Sequence, residues 1–363
     1  MGRISQDFEF YPMPVFSYNV HMRKILGFLE GNLLRESFER RVKKFRESWF
    51  VVNKIYFFII LVILSVINST LFLTSFIIIL VSYIRGILKA KVPIEPNESF
   101  HYLTYIYKNV GNTALKLDIW YPNQIRNVYP LIFFAHGGGW ISGFRNQPNN
   151  VSWSKFLASK GFATASIDYR LAIRNNMEII LADYTDALDF VKDNAEKLKI
   201  SKDNIVLMGL SAGGHLALLY ASYYTFMNYE TKMKGIKGVS VYYSPSDLRD
   251  MFGKGQKSLF ARFATMATLK GIPDKKPGPY SYYSPIEWIS EKMVPTLVVH
   301  GRKDMVVPYT SSINLIRKLK SKNIPCKFFL HKKGGHGFET HLKDFQTIKI
   351  LEETVRFMKR LIK

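Results

Sequence analysis

A single cysteine, Cys326, stands in the 363 residues of this chain. No intramolecular disulfide is available to it, and a chain that needs no such staple works on either side of a membrane. No H-E-x-x-H and no paired Cys/His spacing occurs, so metal catalysis finds little support. No helix-turn-helix, zinc-finger or RNA-binding signature appears, and nucleic acid is not an expected partner. There is no internal repeat and no low-complexity tract. Acid is scarce, with 28 Asp and Glu against 51 Lys and Arg, a formal net charge of +23. That excess reads either as a solvated lysine-rich surface or as attraction to an anionic membrane surface.

Charge is wholly missing from one zone. Ile55 to Ile84 reads IYFFIILVILSVINSTLFLTSFIIILVSYI without an ionisable acid or base. About 18 apolar residues already suffice to span a bilayer, and a soluble helix apolar on every face is hard to bury. Residues 55–88 are therefore expected to form a membrane segment. A single helix of about 30 residues would be near 45 Å long and would have to tilt. Asn68-Ser69-Thr70 at the centre equally suits a turn between two shorter spans. Basic residues flank both ends: Arg40, Arg41, Lys43, Lys44 and Arg46 upstream, Arg85, Lys89 and Lys91 downstream. Positive flanks on both sides fit a hairpin, and the larger upstream excess fits one span with the catalytic domain outside. Residues 1–54 form a basic amphipathic leader that could lie on lipid headgroups or cover the mouth of a site.

From about residue 97 to 363, short apolar runs alternate with helical patterns, as in a protein built from βαβ units. Leu131–Ala135 reads as a strand buried on both faces and ends in His136-Gly137-Gly138-Gly139-Trp140. Successive glycines let the backbone bend and turn several N–H groups toward one point, which suits an oxyanion. Ile205–Met208 is a second such strand and runs into Gly209-Leu210-Ser211-Ala212-Gly213, followed by a helical stretch. This is a G-x-S-x-G elbow with the strand and helix it requires. There the serine hydroxyl protrudes from a tight turn, and the Ala212 N–H and helix N-terminus favour negative charge. A hydroxyl needs a base to become a nucleophile. The apolar run Pro295–Gly301 precedes Asp304, and Cys326–Leu330 precedes the glycine loop carrying His336. Both groups fall beyond the C-terminal ends of strands, on the rim where Ser211 lies, in the chain order Ser, Asp, His. Asp247, after the strand-like Val239–Tyr243, is the rival acid.

His136–Trp140, Asp168–Leu171, Gly209–Gly214, His300–Asp304 and Gly335–Phe338 together resemble the HGGG-type esterase/lipase branch of the α/β-hydrolase superfamily. Ala187-Leu188, Phe190-Val191 and Asn194 ahead of the elbow resemble carboxylesterases and isoprenylcysteine methylesterase-like proteins. The sequence departs from hormone-sensitive-lipase-type members after Leu171, where Ala172-Ile173-Arg174-Asn175-Asn176-Met177 stands. The resemblance implies an eight-stranded, mostly parallel sheet with helices on both faces. It implies nucleophile Ser211, acid Asp304 and base His336, and oxyanion donors at the N–H groups of Gly138, Gly139 and Ala212. Asp168-Tyr169-Arg170 would brace the loops. No cofactor or metal is implied.

The expectation is thus an α/β-hydrolase with an N-terminal transmembrane segment and a lid-like insertion at about 246–290. It would cleave a carboxylic ester, of a lipid or another lipophilic small molecule. An amidase, formamidase or peptidase on the same residues, or a ligand-binding protein without catalysis, stands as the alternative.

Overall fold

A computed structural model describes residues 59–63, 73–78, 90–254 and 256–362. The chain divides into two compact units, residues 1–82 and 83–363. In the first, the described residues are two helical stretches, 59–63 and 73–78. The leader 1–54 and most of the expected membrane segment 55–88 lie outside the described residues. Among the described residues no helix is long and apolar enough to cross a membrane.

The second unit is built on one sheet of eight strands. These are β1 (Tyr102–Val110), β2 (Thr113–Trp120), β3 (Tyr129–Ala135), β4 (Ala163–Ile167), β5 (Ile200–Leu210), β6 (Ile236–Tyr242), β7 (Thr296–Gly301) and β8 (Cys326–His331). They lie side by side in the order β1-β2-β4-β3-β5-β6-β7-β8. β2 runs antiparallel to both β1 and β4, and every other neighbour pair is parallel.

Helices cover both faces, as a mostly parallel sheet demands, because its central strands have no side that can face water. The helices are α1 (Pro148–Ser159), α2 (Met177–Asp193), α3 (Ala212–Phe226), the short α4 (Glu230–Met233), α5 (Leu259–Leu269), α6 (Pro277–Tyr282), α7 (Tyr309–Ser321), α8 (Phe338–His341) and α9 (Phe345–Leu361). β3 shows why an unbroken apolar run is needed. Its Leu131 and Phe133 point into one core with residues of α2, α3 and α7, while Ile132 and Phe134 point into the other with residues of α1 and α9. Caps fix where several helices begin. Asn176, Ser258 and Asp344 accept from the third backbone N–H beyond them, and Pro148 starts α1 at a position whose N–H has no helical partner.

The register sets the rim. Ala135 pairs with Gly209, Leu210 with Tyr242, and Tyr242 with Val299, so β3, β5, β6 and β7 end together. Ligand chemistry in open parallel sheets sits at such carboxyl ends. Between β6 and β7 the chain makes α5, α6 and two 3₁₀ turns, Leu248–Phe252 and Pro285–Trp288.

Candidate active site

Ser211 occupies the sharp turn between β5 and α3 with φ of 50° and ψ of −116°. A side-chain-bearing residue is held there only when its surroundings over-determine it. Its N–H donates to Tyr242 O at 2.9 Å, and its carbonyl accepts from His215 N at 3.0 Å. The flanking glycines permit the approach of α3 to the sheet. A Cβ on Gly213 would lie 2.1 Å from Ala135 O, and one on Gly209 would lie 2.3 Å from the Gly213 carbonyl carbon.

His336 Nε2 is 3.0 Å from Ser211 Oγ, and its Nδ1 is 2.8 Å from Asp304 Oδ2. The other carboxylate oxygen of Asp304 accepts from the N–H groups of Val306 and Val307 at 2.7 and 2.9 Å. His300 Nε2 lies 3.2 Å from Oδ2 and is itself held by Val307 O, while its Nδ1 meets Ser312 Oγ. Burial alone would raise the Asp304 pKa. The charge of His336 and the hydrogen bonds from His300 and His336 outweigh it and hold the carboxyl well below the usual carboxylate range. Ser211, His336 and Asp304, from three separate loops, are thus brought into one chain of hydrogen bonds. Asp247 is not part of it: it accepts from Arg249 N and Nε and starts the 3₁₀ turn Leu248–Phe252.

The glycine loop passes over the elbow. A Cβ on Gly137 would lie 3.4 Å from Ser211 Cβ, and Gly138 adopts φ of 110°. Gly137 and Gly138 line a cavity of about 370 Å³ together with Ser211, Tyr243 and His336. Ala212 follows the serine as the first residue of α3, where backbone N–H groups have no intrahelical partner. Gly139, the next residue of the loop, comes up against Ala264 and Phe260 of α5. His136 stacks on Tyr169, whose hydroxyl donates to His136 O at 2.9 Å. Asp168 accepts from Arg145 N and Nη1, and Arg170 forms a two-pronged pair with Asp183. The Asp168-Tyr169-Arg170 segment therefore ties the loops to the sheet.

One residue of this site went unread in the sequence. Glu339 carries no motif, yet it is fully buried, and its Oε1 accepts from Tyr243 Oη at 2.6 Å and from Trp153 Nε1 at 3.4 Å. Tyr243 in turn packs its ring against His336, centroids 4.5 Å apart, from a backbone with φ of 39°. Burial pushes the Glu339 carboxyl up from its ordinary range, against the hydrogen bond from Tyr243. The only signal in the sequence is spacing: Glu339 stands three residues after His336.

No group of three or more metal-ligating side chains occurs among the described residues. The arrangement suits acyl transfer, in which a serine oxygen attacks and amide donors receive the charge that develops on a carbonyl oxygen.

Residues 117–319 match the family model described as BD-FAE. Esterase LipC of Mycobacterium tuberculosis is 27% identical over 233 residues, which make up 62% of this chain and 57% of that protein. A probable isoprenylcysteine alpha-carbonyl methylesterase of Oryza sativa is 26% identical over 239 residues, 61% of this chain and 55% of that protein. The chain thus spans little more than half the length of these curated relatives. Among solved structures, inhibited esterase B of Lactobacillus rhamnosis superposes with a TM-score of 0.64 at 21% identity, covering 79% of this chain and 94% of that one. That likeness concerns the fold.

Proposed function

The chain belongs to the BD-FAE family of α/β-hydrolases, and on that premise we propose that it is a serine esterase in which Ser211 is the nucleophile, His336 the general base and acid, and Asp304 the group that orients the histidine. The observation that carries this reading is the unbroken contact from Ser211 Oγ through His336 to Asp304, at 3.0 and 2.8 Å, on a strained elbow at a cavity floor.

His336 Nε2 takes the Ser211 proton as Oγ attacks the ester carbonyl. The N–H groups of Gly138, Gly139 and Ala212 receive the oxyanion. The imidazolium then passes its proton to the leaving alcohol, and the acyl-serine remains. Water, deprotonated by the same ring, attacks the acyl carbon and releases the acid and the free serine. Asp304 stays ionised throughout and stabilises the imidazolium. No cofactor takes part.

The uncharged run from Ile55 to Ile84 supports a membrane anchor. A site tethered to a bilayer favours a lipophilic ester, such as an acylglycerol, an acetylated lipid or a prenylcysteine methyl ester. The rice relative carries isoprenylcysteine methylesterase in its name.

The test compares the full chain in detergent with Ser211→Ala on p-nitrophenyl esters from acetyl to palmitoyl. Activity that disappears in the variant, with a fluorophosphonate probe labelling only the parent, is the expected result. A parent inactive on every ester but active on anilides would replace the esterase with an amidase. A parent that neither turns over nor takes the probe would make the cavity a binding site.

A further inference from the structure

The apolar stripe of α5 is turned outward. Its inner face is made of small side chains: Ala261, Ala264, Thr265 and Thr268 are buried, with the two threonine hydroxyls spent on the carbonyls of Ala261 and Ala264. The outer face is Leu259, Phe260, Phe263 and Met266, exposed by 65%, 46%, 53% and 38%. Positions i, i+4 and i+7 of a helix share one side, and on an ordinary surface helix that side is polar. Ile173, 67% exposed, follows Ala172, whose carbonyl is held by Lys270 Nζ from the end of α5. The helix that carries the patch abuts the glycine loop. A Cβ on Gly139 would lie 2.9 Å from Ala264 Cβ and 3.0 Å from Phe260 Cζ.

Charge surrounds this stripe. Between residues 254 and 276 stand Lys254, Lys257, Arg262, Lys270, Lys275 and Lys276 against one acid, Asp274. The five lysines are exposed, with the Lys270 ammonium held by Ala172 O, and Arg262 reaches back to Gln256 O. An exposed apolar stripe inside a basic rim is how a helix engages an anionic lipid surface, with the stripe about 5–10 Å deep and the cations among the headgroups. A second copy of the chain fits less well, since two such rims would face each other with like charge.

We propose that the Leu259–Phe263–Met266 face of α5 docks into the anionic leaflet of a bilayer. The edge of the cavity beside the oxyanion loop then opens onto lipid, and esters dissolved in the leaflet are its supply. The inference deepens the membrane part of the proposed function and rests on it for the source of substrate.

The full chain, with Cys326→Ser, would carry a nitrobenzoxadiazole dye on Leu259→Cys or Phe263→Cys, reconstituted in phosphatidylcholine/phosphatidylglycerol vesicles. The control is Lys197→Cys, an exposed residue just ahead of β5 at the opposite end of the sheet. Dye at 259 and 263 is expected to shift to the blue and to be quenched by lipid with a doxyl group high on the acyl chain. Dye at 197 is not, and the contact weakens when phosphatidylglycerol is left out. If the chain floats with the vesicles but 259 and 263 are quenched no more than 197, the docking is wrong and the anchor stands. A chain that does not float overturns both. Self-quenching between dyes at 263 would assign the face to a second copy. As an activity readout, Leu259→Ser with Phe263→Ser should slow hydrolysis of a vesicle-borne ester by roughly tenfold or more, the scale of losing one large apolar side chain from lipid. Hydrolysis of p-nitrophenyl acetate in solution should change by less than about twofold on the same scale of reasoning. Equal losses on both substrates would count against docking.

Discussion

Asp304 and Glu339 are two buried acids on either side of His336, and their surroundings drive them apart. Asp304 is held ionised by two backbone N–H groups and two histidines. Glu339 has one oxygen shared by Tyr243 and Trp153 and one buried oxygen, Oε2, with no partner among the described residues. Asp304→Asn is expected to keep the fold and to lower kcat by about four orders of magnitude, because the amide stabilises the wrong tautomer of His336. Steady-state rates on a p-nitrophenyl ester check this. Glu339 acts on the histidine only through the Tyr243 ring, so it is a positioning residue. Glu339→Leu leaves the Tyr243 hydroxyl buried and unpaired, a cost of about 1–3 kcal/mol. The expected result is a lower melting temperature and a reduced kcat with little change in KM. Glu339→Gln, which retains an acceptor, should recover most of both; if Gln and Leu are equally impaired, the hydrogen bond is not what matters. Ser211, Asp304 and His336 were legible in the sequence because each sits in a glycine-marked or strand-end context. Glu339 was not, because burial of a polar side chain leaves no local pattern.

Elements were legible in proportion to how apolar they are. The runs Leu131–Ala135, Pro295–Gly301 and Cys326–Leu330 fall on β3, β7 and β8 almost residue for residue. β5 begins at Ile200, five residues before the run Ile205–Met208, because Ser201, Lys202 and Asp203 extend the strand where it is no longer covered. β4 is harder still. Its sequence ATASI is buried at every position but built from small, weakly apolar residues that no hydrophobic pattern picks out. The close spacing that such residues allow also governs α3, and it can be tested with two glycines of opposite kind. Gly213→Ala would put a methyl 2.1 Å from Ala135 O, backbone that cannot yield. It is expected to unseat α3 from β3, with loss of esterase activity and a melting temperature lower by several degrees. Gly278→Ala, within α6 and with nothing inside 4 Å, should be neutral or stabilising by about 0.4–1 kcal/mol. Thermal melts of both variants decide it. A tolerated Gly213→Ala would mean that the helix rides further from the sheet than the contacts imply.

At the scale of the whole molecule, the sequence ends its membrane segment at 88 and starts its βαβ pattern at about 97, and the compact unit that begins at residue 83 carries every group of the site. The expectations for the leader and membrane segment fall mainly on residues outside those described, so they rest on composition. Two buried histidines outside the Ser211–His336–Asp304 chain of hydrogen bonds make the stability of this unit depend on pH. His136 lies under the glycine loop and His215 ties α3 to Tyr283 O at 2.7 Å. Burial pushes both down from 6.5 to about 4, against the hydrogen bond each makes to a backbone carbonyl. Between pH 6.5 and 4 these two rings then bind more protons in the unfolded chain than in the folded one, so the stability they contribute is full above 6.5 and falls as the medium is acidified through that window, while the raised Glu339 carboxyl works in the opposite direction. Each ring contributes on the order of 3 kcal/mol across it, at about 1.4 kcal/mol per pKa unit. Asp304 adds a loss in the same direction, but only below 3.8, where the unfolded carboxyl takes up its proton. Melting temperature measured from pH 7.5 to 4.5 should therefore drop steeply well before the carboxylates titrate. His215→Gln, which keeps a donor toward Tyr283 O without a titrating ring, should be less stable at pH 7.5 yet lose less on acidification. A variant curve parallel to that of the parent would mean that His215 is not one of the groups that set the acid limit of this fold.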